Sequence, residues 1–91
     1  MVQTQSAALI QEEIYEVHPN PFTEEITLIC HSPAIGKETD IRVYDIHGDL
    51  IISLRVNRKQ MIKIGKSLQP GMYFLSVSSE DIHQVLRVVK K

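Results

Sequence analysis

The stretch Leu68-Gln69-Pro70-Gly71-Met72-Tyr73-Phe74-Leu75-Ser76-Val77 combines a turn with the most strand-like run of the chain. Proline has a fixed φ and glycine tolerates a positive φ, so the Pro70-Gly71 pair predicts a sharp turn. Alternate residues of the following strand point to one face, which is expected to be the core face: Tyr73, Leu75 and Val77. β-Branched and aromatic residues favour a pleated, half-buried surface. The stretch therefore predicts a core strand of an all-β domain.

Six further segments on both sides of this stretch have strand character, with proline, glycine or acidic residues at the breaks. They are residues 14–18, 24–31, 39–46, 50–56, 60–64 and 82–89. Short strands at regular spacing predict an immunoglobulin-like β-sandwich of about seven antiparallel strands. Residues 14–91 are expected to form this single domain, and residues 1–13 are interpreted as a linker or a vector remnant.

The same alternation predicts which side chains of the other strands face the core. These are Ile26, Leu28, Cys30, Ile41, Val43, Ile62, Ile64, Leu86 and Val88. Phe22 is expected to tuck beneath the proline-rich segment that precedes it. Cys30 is the single cysteine of the chain, so it forms no internal disulfide, and its place on a core face predicts a buried, unreactive thiol.

Composition limits the function classes that suit the chain. Its 91 residues, 43% of them hydrophobic, are enough for one core but not for a roomy ligand cavity. The net charge of −1 gives no general attraction to nucleic acid or membranes. No apolar run approaches the length that spans a bilayer, and Met1 to Glu13 does not read as a secretory signal.

Candidate chemistry is sparse. Four histidines lie on separate predicted segments, without the spacing of metal ligands: His18, His31, His47 and His83. The Asp45-to-Asp49 segment is interpreted as a hairpin loop, in which Gly48 takes a positive φ and the Asp45 carboxylate bonds the turn backbone. No nucleophile motif or phosphate-binding loop occurs. The sequence therefore predicts no catalytic, metal or cofactor site.

Three blocks occur in a distinctive order along the chain. They are Val17-His18-Pro19-Asn20-Pro21-Phe22, then Ile41-Arg42-Val43-Tyr44-Asp45-Ile46-His47-Gly48, then residues 68–77 with a last strand that ends in lysines. Together, over residues 14–91, they resemble the type A C-terminal sorting domain of the type IX (Por) secretion system of Bacteroidetes. P-N-P-F alone is a weak signal, whereas the three blocks at these spacings are specific.

The resemblance implies a non-catalytic sorting signal with an immunoglobulin-like fold and no cofactor. Family cargo reaches the periplasm by a signal peptide, and the domain then directs it through the outer-membrane translocon to the cell surface or the medium. A surface sortase usually removes the domain and joins the cargo to anionic lipopolysaccharide. In this chain the cut is expected within Met1 to Glu16.

The resemblance also assigns roles to particular residues. Translocon recognition is carried over to the last hairpin and its basic end: Gly71, Tyr73, Arg87, Val88, Val89, Lys90 and Lys91. Residues of the family motifs with a structural role are Pro19, Asn20, Pro21, Phe22, Asp45, Gly48 and Pro70. Two departures lie outside the motif blocks: Asp49, where the family often has a basic residue, and the highly charged Asn57-Arg58-Lys59.

Two other functions remain open at this point. A β-sandwich adhesion or carbohydrate-binding module usually shows exposed aromatic side chains in a groove, whereas most aromatics here fall on predicted core faces. A self-associating structural domain could form a homodimer through edge strands beside the proline-rich segment. Such a dimer would also be compatible with a sorting role.

Overall fold

The computed structural model describes residues 14–31, 38–57, 61–80 and 82–91. All regular structure in this part of the chain is β-strand. The strands are β1 (Tyr15–His18), β2 (Ile26–Cys30), β3 (Glu38–Tyr44), β4 (Leu50–Asn57), β5 (Met61–Ile64), β6 (Gly71–Ser79) and β7 (Ile82–Lys90). The expected linker at 1–13, the loop at 32–37 and most of the charged turn after Asn57 lie outside the described residues.

The strands form two antiparallel sheets. One has three strands in the order β1-β2-β5, and the other has four in the order β4-β3-β6-β7. β6 is central in the larger sheet, where it pairs with β3 on one side and with β7 along its whole length on the other. The predicted fold class, an all-β sandwich, is confirmed.

The core lies between the two sheets and consists of the residues expected from period two. Tyr73 is 9% exposed, while Leu75 and Val77 are fully buried. From the three-stranded sheet come Ile26, Leu28, Cys30, Ile62 and Ile64, and from the larger sheet come Ile41, Val43 and Val88. Leu86 is half-buried and packs against this cluster. Burial of such side chains contributes roughly 1.5–3 kcal/mol each to folding.

The connection into β6 differs in detail from the expected Pro70-Gly71 turn. The hydrogen-bonded turn lies earlier, where the Leu68 amide donates to the Gly65 carbonyl at 3.1 Å. Gly65 has a φ of +93°, so this turn uses the left-handed region that favours glycine. Gly71 has a φ of +157°, the positive φ expected of it, and is the first residue of β6, in register with Lys90. The chain therefore turns at Gly65 and bends at Pro70.

The β3–β4 hairpin has the predicted turn chemistry. One oxygen of the Asp45 carboxylate accepts hydrogen bonds from the backbone amides of His47 at 2.9 Å and Asp49 at 3.0 Å. Gly48 takes a φ of +87°. The geometry of the turn therefore explains why Asp45 and Gly48 occur in the loop, and no catalytic or metal-binding role is needed to explain them.

Polar contacts also join the two sheets. The side-chain amide of Gln84, on β7, accepts from the backbone N–H of Tyr15 at 3.1 Å and donates to its carbonyl at 3.0 Å. The Tyr15 hydroxyl donates to Ser79 Oγ at 2.6 Å, and Ser79 Oγ lies 2.7 Å from Thr39 Oγ1. β1 is therefore fastened to the last hairpin of the opposite sheet.

Candidate functional site: the end of β7 and its proline loop

The loop between β1 and β2, residues 19–25, is called the proline loop here. It runs beside the end of β7, and its Phe22 forms a short parallel bridge with Lys90. The Phe22 amide donates to the Val89 carbonyl, and the Lys91 amide donates to the Phe22 carbonyl, both at 2.9 Å. The peptide bonds before Pro19 and Pro21 are both cis. Prolines lack an N–H, so in this loop Phe22 supplies the backbone donor that pairs with β7. The loop thereby covers backbone groups that an edge strand would otherwise expose.

The side chain of Asn20 makes a second pair of contacts with β7. Its Nδ2 donates to the Arg87 carbonyl at 2.9 Å, and its Oδ1 accepts from the Val89 amide at 3.0 Å. A carboxamide carries a donor and an acceptor in one plane, so it can satisfy the N–H and the C=O that point to the same side of an antiparallel strand. An aspartate would keep the acceptor but lose the donor. Asn20 therefore fixes the backbone of the last residues.

Lys90 anchors the end of β7 from the inside of the sandwich. It is only 8% exposed, and its Nζ donates to the carbonyls of Gly65 at 2.9 Å and Lys66 at 3.1 Å. The same Nζ lies 5.7 Å from the centroid of the Phe22 ring, within cation–π range. A buried ammonium group needs such partners, because burial without them is costly. Lys90 thus joins β7, the Gly65 turn and the proline loop.

The structure divides the predicted recognition residues into two groups. Gly71, Arg87 and Lys91 are exposed and Val89 is half-buried, so these can be reached from solvent. The other three residues are buried: Tyr73, Val88 and Lys90. The Tyr73 hydroxyl donates to the Gln69 carbonyl at 2.6 Å, which links β6 to the preceding loop.

Sequence reasoning missed the contacts of Asn20 and the inward direction of Lys90. A signal for Lys90 was present, because Leu86, Val88 and Lys90 follow the same period-two face. A long lysine stem can lie along apolar surface while its charged end reaches polar partners. No comparable signal existed for Asn20, since its partners are 67 and 69 residues away in the chain.

The histidines form a partial cluster. Glu16 contacts both His18, with Nε2 2.7 Å from its Oε1, and His31, with Nε2 3.1 Å from its Oε2. The His18 contact, followed by the His31 contact, holds the pKa of the Glu16 carboxyl below its ordinary value. Within residues 14–31, 38–57, 61–80 and 82–91, no group of three or more His, Cys, Asp or Glu residues is arranged to hold a metal ion. Burial raises the pKa of the Cys30 thiol, as an unreactive core cysteine requires.

A shallow open cleft of about 260 Å³ lies beside the proline loop. It is lined by Pro19, Thr23, Glu24, Glu25, Thr27 and Lys63. None of these residues is aromatic, whereas a carbohydrate groove usually presents aromatic rings. No helix long and apolar enough to cross a membrane occurs in the part of the chain that the structure describes.

A comparison with known protein families identifies a match that includes the proline loop and β7. A family model described as "Secretion system C-terminal sorting domain" matches residues 16–91. The match includes the proline loop, the β3–β4 hairpin and the whole of the last hairpin. No curated protein matches the chain at a significant level.

Proposed function

Because the chain belongs to the family of secretion system C-terminal sorting domains, we propose that its ordered C-terminal end is the signal that the type IX outer-membrane translocon reads. Family membership makes the chain a non-catalytic sorting signal for export to the cell surface or the medium. The cargo crosses the periplasm, the translocon recognises the domain, and a surface sortase then cuts within Met1 to Glu16.

The contacts that hold residues 87–91 support this proposal, and together we call them the clamp. Asn20 and Phe22 hold the backbone of β7, and Lys90 holds it from the inside. These contacts hold the terminal segment in place in the folded domain. A partner that binds a pre-ordered segment pays less conformational entropy than one that must order a free tail.

The residues near the end of β7 fall into two groups: exposed ones that a partner can touch, and buried ones that hold the strand in position. Arg87, Val89 and Lys91 are presented to solvent, and we assign direct recognition to them. Tyr73, Val88 and Lys90 support recognition by keeping the end of β7 in place. Gly71 is the first residue of β6 and lies opposite Lys90. Because glycine has no side chain, it leaves this end of the hairpin accessible to a partner.

The experiment places all 91 residues at the C-terminus of a reporter that carries a signal peptide, in a bacterium with a working type IX system. We expect the reporter at the cell surface or in the medium. Deletion of Val88 to Lys91 should leave it in the periplasm. Continued export after this deletion would show that the terminal segment is not the signal.

Cleavage is tested in the same cells. A sortase cut before β1 predicts that the surface reporter lacks the domain, and that its new C-terminus maps within Met1 to Glu16 by mass spectrometry. Surface reporter that retains residues 17–91 would contradict removal of the domain but not its role in export.

A further inference from the structure

The outer side of the four-stranded sheet carries a contiguous apolar surface next to the clamped end of β7. Leu50, Tyr44, Phe74 and Arg87 are neighbours across four strands, and Met72 lies opposite Val89 in the next row. We call the five apolar members the outer apolar face: Tyr44, Leu50, Met72, Phe74 and Val89. Met72, Phe74 and Val89 point away from the core, since Tyr73, Leu75 and Val88 of the same strands point into it, and Tyr44 follows the core residue Val43 on β3. Leu50 lies beyond a shift in register between β3 and β4, where it pairs with Tyr44 and is 51% exposed.

The side chains of the outer apolar face are accessible to a partner. Leu50 is 51% exposed, Met72 40% and Phe74 37%, while Tyr44 and Val89 are half-buried. The corresponding side of the three-stranded sheet is mainly polar, with Glu16, Thr27 and Lys63 among its residues. The exposed apolar side chains of the larger sheet are therefore grouped at the end near Lys91, while the rest of its outer side is polar, with Arg42, Arg55 and Ser76 among its residues. Contiguous exposed apolar patches of a few hundred Å² often mark interaction sites.

Charge at the margin indicates the chemistry of the partner. Arg87 is the cross-strand neighbour of Phe74, and its exposed side chain has no carboxylate partner among the described residues. Lys91 adds a second positive charge just beyond Val89. A complementary surface would combine an apolar pocket with at least one acidic side chain.

Size argues for a brief contact with a receptor over a permanent dimer. A stable interface buries roughly 800 Å² on each partner, whereas five partly exposed side chains offer only a few hundred Å². A sorting signal has to be released after export, and a small interface permits release. Val89 belongs both to the clamped terminal segment and to the outer apolar face, so a single partner can contact the two together.

We propose that the outer apolar face is the docking surface for the translocon component that reads the C-terminal end, through an apolar pocket flanked by an acidic side chain. This inference rests on the proposed function. It adds that recognition extends from the terminal residues across β6 to β3 and β4. The interaction is non-covalent, and the domain leaves it unchanged.

The test uses the same reporter with the full 91-residue chain and substitutes single exposed residues. Met72→Glu and Phe74→Glu should each lower the surface reporter about tenfold, the size of effect expected for a buried interface residue. The matched control is Met61→Glu, because Met61 is a 60%-exposed methionine on a strand of the other sheet. Its export should equal that of the unchanged chain.

Arg87→Glu provides a second measurement that does not alter the apolar surface. It reverses the charge proposed to face an acidic side chain, so export should fall. Thermal unfolding of each purified chain establishes that the variants fold. If Met72→Glu or Phe74→Glu fails to fold, the uncharged Met72→Gln and Leu50→Gln decide the outcome, since both residues are exposed members of the outer apolar face.

The possible failures are distinguishable. If the unchanged chain is not exported, the proposed function is wrong and the docking surface fails with it. If the unchanged chain is exported and Met72→Glu, Phe74→Glu and Arg87→Glu are exported equally well, only the docking surface is wrong. If sedimentation shows a dimer that Met72→Glu dissociates without loss of export, the face is a contact between two copies of the chain, which also overturns the proposal.

Discussion

Lys90 shows how one buried charge can order the end of a chain. Its Nζ bonds two turn carbonyls and approaches the Phe22 ring, whereas the next residue, Lys91, is exposed. Gly65 makes this arrangement possible, because a Cβ at that position would lie 3.0 Å from Phe22 Cε2. Two adjacent lysines in the sequence therefore have different roles: Lys90 holds the structure and Lys91 is presented to solvent.

Leu75 gives a residue-level prediction for the core. It is fully buried at the centre of β6, so Leu75→Ala should lower the free energy of unfolding by about 2–5 kcal/mol. Val85→Ala is the control, since Val85 is 56% exposed and its truncation should have little effect. Urea denaturation of both variants measures the difference. A change below about half a kcal/mol for Leu75→Ala would contradict its place in the core.

The contact between the proline loop and β7 gives a prediction at the level of elements. The Val89 amide is bonded to Asn20 Oδ1, so Asn20→Ala should speed the exchange of this amide with solvent. The free energy of unfolding should fall by about 1–2 kcal/mol, since two hydrogen bonds of modest net value are lost. Hydrogen exchange followed by nuclear magnetic resonance makes the measurement.

Two comparisons make the Asn20 prediction specific. Asn20→Asp keeps the acceptor for Val89 but loses the donor to the Arg87 carbonyl, so its effect on the Val89 amide should be smaller. The Leu75 amide is an internal reference, because β6 is paired on both sides. Equal Val89 exchange rates in the unchanged chain and in Asn20→Ala would mean that the side chain does not hold the strand.

The elements were largely predictable because their signals are local. Alternation over four to nine residues is enough to place β6 and to assign Tyr73, Leu75 and Val77 to the core. The pairing of Asn20 with β7 was not predictable, since it joins residues 67 and 69 positions apart through a loop whose path depends on the folded sandwich. The Pro70-Gly71 pair does bend the chain, and Gly71 has a positive φ, but the sequence did not show that a hydrogen-bonded turn at Gly65 precedes it.

At the scale of the whole molecule, exposed apolar side chains lie together at one end of the larger sheet, and this grouping was visible only in part from the sequence. Alternation placed Phe74 opposite the core, but it did not show that Phe74 would lie beside Tyr44 and Arg87, because that depends on strand order. The family resemblance predicted the importance of the terminal residues. It left unstated that Val88 and Lys90 are buried and that Arg87 and Lys91 remain accessible.

The ionisable groups predict a stability plateau at neutral pH. Hydrogen bonds hold the pKa of Glu16 and of Asp40, which bonds Arg55 at 2.6 Å, below their ordinary values of 4.5 and 3.8. A carboxyl with a lowered pKa stabilises the fold above its ordinary value, and this contribution is lost as the pH falls through the folded pKa. The free energy of unfolding should therefore decline below about pH 4.

At alkaline pH the buried groups act in the opposite sense. Burial raises the pKa of Tyr15 above 10.0 and that of Cys30 above 9.0, so both stay neutral in the folded chain when they would ionise in the unfolded one. The stability that they contribute is present below those ordinary values and is lost as the pH rises through the folded pKa, so unfolding should become easier above about pH 9.

Urea denaturation from pH 3 to pH 11 tests both declines. Glu16→Gln should make the acid decline shallower, and Tyr15→Phe should do the same for the alkaline decline. If Tyr15→Phe keeps the full alkaline slope, burial does not hold the Tyr15 hydroxyl neutral.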